Sequence, residues 1–147
     1  MKNKSTVGEI RARFDADVER FSNLETGQTS TVDAALSLEL ITEAARRVKP
    51  DAAELLDIGC GAGNYTLKLL EKLPDLNCTL VDLSAPMLER ARGRISQKTK
   101  GTVRALQADI READLPENHY DIVLAGAVLH HLRDEADWLE TFLKIAR

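Results

Sequence analysis

Three glycines at alternate positions, Gly59, Gly61 and Gly63, stand directly behind a short apolar run, Glu54-Leu-Leu-Asp-Ile58. No other stretch constrains the fold as much. A run that short, closed by a glycine turn, reads as a buried strand. The turn opens onto a helical pattern from Ala62 to Leu73, with Tyr65, Leu69 and Leu73 on one face and Pro74 beyond its end. Glycines between a strand and a helix let the chain turn sharply and let a ligand approach the backbone with no Cβ in the way. The loop N–H groups and the helix N-terminus then offer donors to an anionic group. The alternative is a tight strand-to-helix turn that holds nothing.

The same alternation continues downstream. Asn77 to Val81 reads as a second strand. Ser84 is a candidate N-cap for a helix through Ile95, because Pro86 falls in the first turn, where its missing N–H costs little. Thr102 to Gln107 reads as a third strand, Tyr120 to Ala125 as a fourth, and Asp134 to Ala146 as a closing helix. Strands separated by helices imply right-handed parallel βαβ units. Parallel strands buried on both faces should be apolar throughout, and Asp121-Ile-Val-Leu-Ala125 fits.

Two helices are expected ahead of the sheet. Ile10, Phe14, Val18 and Phe21 form one apolar stripe on a helix from Gly8 to Phe21. A polar segment, Ser22 to Ser30, separates it from a helix over about Thr31 to Val48, supported by Val32, Leu36, Leu40, Ala44 and Val48 and stopped by Lys49-Pro50. The expected organisation is an N-terminal helical cap over residues 1–50 and an α/β domain over 51–147. The 147 residues suffice for one buried core.

Charge and composition narrow the function classes. A net charge of −4, with acids and bases interspersed, lacks the basic stripe behind most nucleic-acid affinity. That disfavours RNA or DNA and leaves them open. No apolar run approaches the ~20 residues that span a bilayer. The basic Met1 to Ser5 has no apolar segment behind it, so a cytoplasmic protein is expected. Cys60 and Cys78 lack metal-ligand spacing, no metal site is expected, and both read as free, partly buried thiols.

Two further acids bear on the glycine turn. Asp82 ends the second strand, which in a parallel sheet places it beside the loop, where a carboxylate can accept from a ribose diol. Asp109 follows the third strand at the same edge. The alternative is that both are merely solvated strand-end residues. Dinucleotide sites usually show G-x-G-x-x-G, whereas here Gly59-x-Gly61-x-Gly63 follows Asp57. An acid at the head of the loop would repel a pyrophosphate and could hold a cationic amino group. That points to an amino-acid-like ligand.

At these residues the chain resembles a known family. Leu55-Leu-Asp57-Ile-Gly59-Cys-Gly61-Ala-Gly63 looks like the first motif of class I S-adenosylmethionine-dependent methyltransferases, and Leu80-Val-Asp82-Leu-Ser84-x-x-Met87-Leu88 like their second. Ala108-Asp109-Ile110 is similar to the third, and Tyr120-Asp121-Ile-Val with Val128-Leu-His130-His131-Leu132 to the fourth. The resemblance implies a Rossmann-like, doubly wound, mostly parallel sheet, here with strand order 3-2-1-4. It implies that Asp57 and the loop, with Gly59, Cys60, Gly61 and Gly63, hold the methionine moiety, and Asp82 the ribose. Leu83 and Met87 would flank the adenine, Asp109 and the Ile110 N–H would read its edge, and Ala125 to Ala127 would line the path to the methyl group. Many relatives carry a polar pair such as Ser-Asn where this chain has Ala125-Gly126.

The catalytic role is open. His130 and His131 are candidate general bases; the alternative is that one packs on the cofactor side of the sheet and the other caps the following helix. Gln28 and Thr29 are candidates for the cavity lining, against a solvated loop with Ser30 or Thr31 capping the next helix. The family sheet has seven strands in order 3-2-1-4-5-7-6, and Arg147 follows the fourth strand and its helix. A truncated chain is therefore expected, with an exposed fourth-strand edge able to pair with another copy. The leading expectation is a methyltransferase with a small-molecule acceptor. A tRNA-modifying enzyme using S-adenosylmethionine or a derivative, and a cofactor-binding scaffold without turnover, are the alternatives.

Overall fold

The structure, a computed structural model, describes residues 4–22, 33–126 and 128–147. Four parallel strands, β1 (Glu54–Ile58), β2 (Asn77–Asp82), β3 (Val103–Gln107) and β4 (Ile122–Leu124), form one sheet in the order β3-β2-β1-β4. That is the order the family resemblance implied. Leu56 of β1 pairs with Thr79 of β2 and Val123 of β4, so β1 and β2 hold the centre. Among the described residues β4 pairs with β1 alone.

The pleat sends alternate side chains to opposite faces. Leu55, Cys78, Leu80, Ile122 and Leu124 pack on one face against Leu69, Leu70, Leu88, Ala91 and Ile95. These come from α4 (Asn64–Leu70), from its end, and from α5 (Ala85–Ser96). Leu56, Ile58 and Val81 turn to the other face, where they meet Ile110, Ala113, Tyr120 and Ile145. The Asp121 carboxylate accepts from the Ala53 and Glu54 N–H groups at 2.8 and 3.0 Å, fixing the entry to β1 against the start of β4. The Ser84 hydroxyl caps α5 by accepting from Met87 N–H at 3.3 Å, with proline in the first turn as expected.

The first helix differs from expectation in two ways. It starts at Val7, one residue ahead of Gly8, where Thr6 and Glu9 form a reciprocal capping box. The expected single helix is also broken at Asp17 into α1 (Val7–Ala16) and α2 (Val18–Ser22), because the Asp17 N–H turns back to the Phe14 carbonyl. The bend brings Phe14 and Phe21 to 5.1 Å between ring centroids.

The second expected helix forms as α3 (Ala34–Val48), but with the opposite face inward. Leu36, Leu40 and Val48 are 55%, 60% and 84% exposed, and Ala44 is also exposed. Leu38, Thr42 and Ala45 carry the packing instead. Thr42 is fully buried because its hydroxyl donates to the Leu38 carbonyl at 2.8 Å, which removes the cost of burying it. Val32, expected on the same stripe, lies outside the described residues.

The closing helix, α6 (Glu135–Ile145), is capped by the Asp134 side chain. It leaves Trp138, Leu139, Phe142 and Leu143 exposed, with Trp138 and Phe142 stacked at 5.5 Å. Among the described residues no helix is long and apolar enough to cross a membrane.

Candidate functional site

The carboxyl ends of the four strands open into a cavity of about 650 Å³. Its floor is the glycine loop and the residues just beyond β2 and β3: Ile58 to Ala62, Asp82, Leu83, Asp109 and Ile110. The cap side is α1 and α2, through Ile10, Arg13, Phe14 and Phe21. The apolar stripe Ile10-Phe14-Phe21 therefore walls a cavity. Val18, the fourth member of that stripe, stands apart from it.

All three loop glycines have positive φ. At Gly59 a second constraint applies, since an added Cβ would stand 2.4 Å from the Val128 side chain. Most of the loop N–H groups are already spent. Gly59 and Cys60 donate to the Val81 carbonyl at 2.7 and 3.1 Å, Gly61 to Asp82 at 2.8 Å, and Gly63 to the Cys60 carbonyl at 2.9 Å. The expected row of donors for an anion is thus corrected: the loop spends these four on its own shape.

Asp82 is held from two sides. One carboxylate oxygen accepts from Gly61 N–H and the other from Ser84 N–H at 2.9 Å. Burial pushes its pKa up, while these backbone donors and that of Leu83 pull it down, and Asp15 adds a smaller upward push. Each oxygen keeps a second lone-pair direction, so the group can accept from a vicinal diol while staying fixed. Leu83 and Met87 follow on the cavity wall.

Asp57 stands elsewhere than expected. Its carboxyl is 2% exposed, lies behind the loop and is absent from the cavity wall. It accepts from the Thr66 hydroxyl at 2.6 Å. Burial raises its pKa from 3.8 to about 7; Thr66 works against that rise, and the charge of Asp82 adds to it. The expected place of Asp57 on the cavity wall is thus corrected: its carboxyl is turned to Thr66. Gly63 likewise sits against Ile95 and Ala91 and does not line the cavity.

Asp109 lines the cavity in a clamp. The Arg111 guanidinium donates to both its oxygens at 2.9 and 2.7 Å and also reaches Asp137 of α6. That partner holds the Asp109 pKa below its ordinary value. Ala125 packs in the core and does not line the cavity, whereas Gly126 does. The absence of a polar pair there has a steric reason, since a Cβ on Gly126 would meet the Tyr65 ring at 2.6 Å. Ala127, Gln28 and Thr29 lie outside the described residues.

His130 and His131 occupy a short 3₁₀ turn, Leu129–His131, with ring centroids 3.9 Å apart. Both line the cavity, and His131 stands edge-on to Phe14 at 5.8 Å. Burial, then His130, Arg13 and Lys4, lower the His131 pKa to about 4. Neither histidine caps α6, because Asp134 does. Both cysteines are free and buried. Burial pushes Cys78 up to about 12 and Cys60 well above its ordinary value, so neither is a nucleophile at neutral pH.

Sequence reasoning passed over three residues. Asn64 donates to the Phe21 carbonyl at 3.0 Å and accepts from Arg94, which also donates to the Ala62 carbonyl at 2.8 Å. This chain of contacts ties the cap to the glycine loop and to α5. Tyr65 lines the cavity beside them. Only the position of Asn64, directly behind the loop, carried a signal.

Comparison with known proteins agrees with this geometry. A malonyl-[acyl-carrier protein] O-methyltransferase from Paenibacillus sp. (strain JDR-2) is 28% identical over 98% of this chain and 53% of its own length. A trans-aconitate 2-methyltransferase from Azoarcus sp. (strain BH72) is 40% identical over 66% of this chain and 36% of its own. The chain thus spans about half or less of these relatives. A crystal structure of magnesium protoporphyrin IX methyltransferase from Synechocystis, with its bound S-adenosylmethionine, superposes with a TM-score of 0.74 at 15% identity, over 99% of this chain and 72% of that one. It shares the fold. A family model described as a methyltransferase domain matches residues 56–147. With that match over more than half of its length, the chain belongs to the methyltransferase domain family.

Proposed function

We propose that the cavity binds S-adenosylmethionine and that the protein transfers its methyl group to a small-molecule acceptor. The observation that carries the reading is Asp82, fixed by two backbone donors at the cavity rim with acceptor capacity to spare. Bound there, the cofactor supplies a methyl group on a cationic sulfur. Asp82 accepts from the ribose hydroxyls, Leu83 and Met87 give the adenine an apolar berth, and Asp109 with the Ile110 N–H meets the adenine edge. Asp57, hydrogen-bonded to the Thr66 hydroxyl, supports the loop from behind without lining the cavity. Gly59, Cys60 and Gly61 give the methionine portion a floor free of long side chains, and Phe14 and Phe21 exclude water from above. In-line approach of the acceptor contributes more than proton transfer, because the leaving sulfur needs no acid.

The relatives' substrates, a malonyl group on an acyl carrier protein and trans-aconitate, favour a small acceptor over tRNA, as does the net charge of −4. In the same reading, residues 1–50 form the cap and 51–147 the cofactor-binding domain, the protein works in the cytoplasm, and the open edge of β4 offers a pairing surface to a further strand or a second copy. A labelled-methyl screen over small acceptors tests the reading. Transfer to one of them supports it; tight cofactor binding with no transfer to any acceptor favours a scaffold instead.

A further inference from the structure

Both signs of charge line the cavity. At the strand edge Asp82 takes backbone donors, and Asp109 is paired with Arg111. The opposite wall, built by α1 and the turn over residues 128–133, carries Arg13, His130, His131 and Arg133. The Lys4 ammonium reaches the Leu132 carbonyl at the same place.

The acids on that wall are engaged. The Glu9 carboxylate accepts from the Thr6 N–H at 2.8 Å and feels Arg133. Asp17 lies 3.8 Å from Arg20. Asp137 takes Arg111 and the Arg133 N–H. Arg13, in contrast, makes no ion pair among the described residues; its guanidinium lies 5.0 Å from the centroid of the Phe14 ring. The positive field of Arg13 and Lys4 is strong enough to help hold His131 neutral.

We propose that this wall receives an anionic acceptor, a small carboxylate, and that Arg13 anchors it. The proposal rests on the methyltransferase reading and adds its substrate class. A guanidinium over an aromatic face presents a planar fork that matches a carboxylate. The step balances without a base: a carboxylate oxygen forms a bond to the methyl carbon, the carbon–sulfur bond breaks, and its electron pair stays on sulfur. The products are a methyl ester and a neutral thioether, and no proton moves. That agrees with a wall on which His131 is neutral and the lining acids Asp17 and Asp137 face Arg20 and Arg111. The carboxyl group can belong to a free polycarboxylic acid or to an acyl thioester, and separate arms of the test distinguish these.

The test uses the whole chain. Calorimetry first measures S-adenosylhomocysteine, then citrate, trans-aconitate and the N-acetylcysteamine thioester of malonate on the saturated protein, with citric triamide as the neutral control. Labelled-methyl assays with the same acids follow, and mild alkali distinguishes esters from stable products. Binding of an acid but not of the amide, with alkali-labile label, is the expected result. Arg13→Gln should raise KM for the acid about 10- to 100-fold with a smaller change in kcat, and Arg13→Lys should recover part of that. Normal homocysteine-ligand binding with label only in alkali-stable products, or with an Arg13→Gln KM equal to wild type, overturns the proposal and leaves the cofactor reading standing. Failure of the folded chain to bind S-adenosylhomocysteine overturns both.

Discussion

Replacing Asp57 with asparagine should change how stability depends on pH in a way that only a buried, proton-holding carboxyl explains. Burial raises this group from 3.8 to about 7. At about 1.4 kcal/mol per pH unit, a rise of that size corresponds to about 4 kcal/mol, an order-of-magnitude figure for a group with almost no exposure. The sign follows from proton counting. Between pH 4 and 7 the folded chain keeps the Asp57 proton and the unfolded chain has lost it, so rising pH favours unfolding. The cost is complete above pH 7, where the buried group must ionise. Asparagine keeps an acceptor for the Thr66 hydroxyl and never ionises. Urea unfolding of wild type and Asp57→Asn at pH 4.5, 6 and 8 should therefore show the variant gaining relative stability as pH rises, by several kcal/mol at pH 8. His131 contributes the opposite slope to both proteins: its pKa is lowered from 6.5 to about 4, so its stabilisation is lost as pH falls through that range. Asp82, also raised, leaves both proteins a residual slope of the Asp57 sign. The difference between the two curves isolates Asp57, and parallel curves would refute its placement behind the loop.

Three further outcomes follow from the same geometry. Gly59→Ala should cost well over the ~1–2 kcal/mol of a left-handed non-glycine residue, because its Cβ meets Val128. Gly61→Ala, with nothing within 4 Å of its Cβ, should cost only that backbone amount while weakening ligand binding from the cavity floor; denaturant midpoints and calorimetry separate the two. His131→Gln should leave the pH dependence of methyl transfer between pH 6 and 8 the same as in wild type, because a group with a pKa of about 4 does not titrate there. A wild-type rate that rises through pH 6.5 and loses that rise in the variant would restore His131 as a base.

The elements of the fold were legible where punctuation is local. Glycines 59 to 63, the Ser84-x-Pro86 start, Pro74 and the apolar strands each declare themselves within a few residues; the crossover rule made the sheet parallel, and the family resemblance supplied the strand order. The Thr6-x-x-Glu9 capping box was equally local and was passed over in favour of a start at Gly8. What was illegible depends on partners distant in sequence. Helix α3 offers two apolar stripes, Leu36-Leu40-Ala44-Val48 and Leu38-Thr42-Ala45, and periodicity alone does not say which one meets the sheet. The motif placed Asp82 at the cavity correctly, because a strand end fixes it. It did not reveal that Asp57, one β-pleat back, turns away to Thr66, or that the loop N–H groups close on Val81 and Asp82. Nor could it show that Tyr65 fills the space over Gly126, since those residues are 61 positions apart.

The central claim is that Asp82 holds the ribose of S-adenosylmethionine, and calorimetry with S-adenosylhomocysteine on wild type and Asp82→Asn tests it most directly. Asparagine keeps the shape, loses the charge, and turns an amide N–H₂ toward either the Gly61 or the Ser84 N–H. Saturable one-to-one binding to the wild type, weakened in Asp82→Asn by about 1.5–3 kcal/mol or about 10- to 150-fold, is the predicted result. Equal affinity in two proteins shown to be folded, or no binding to either, would contradict it.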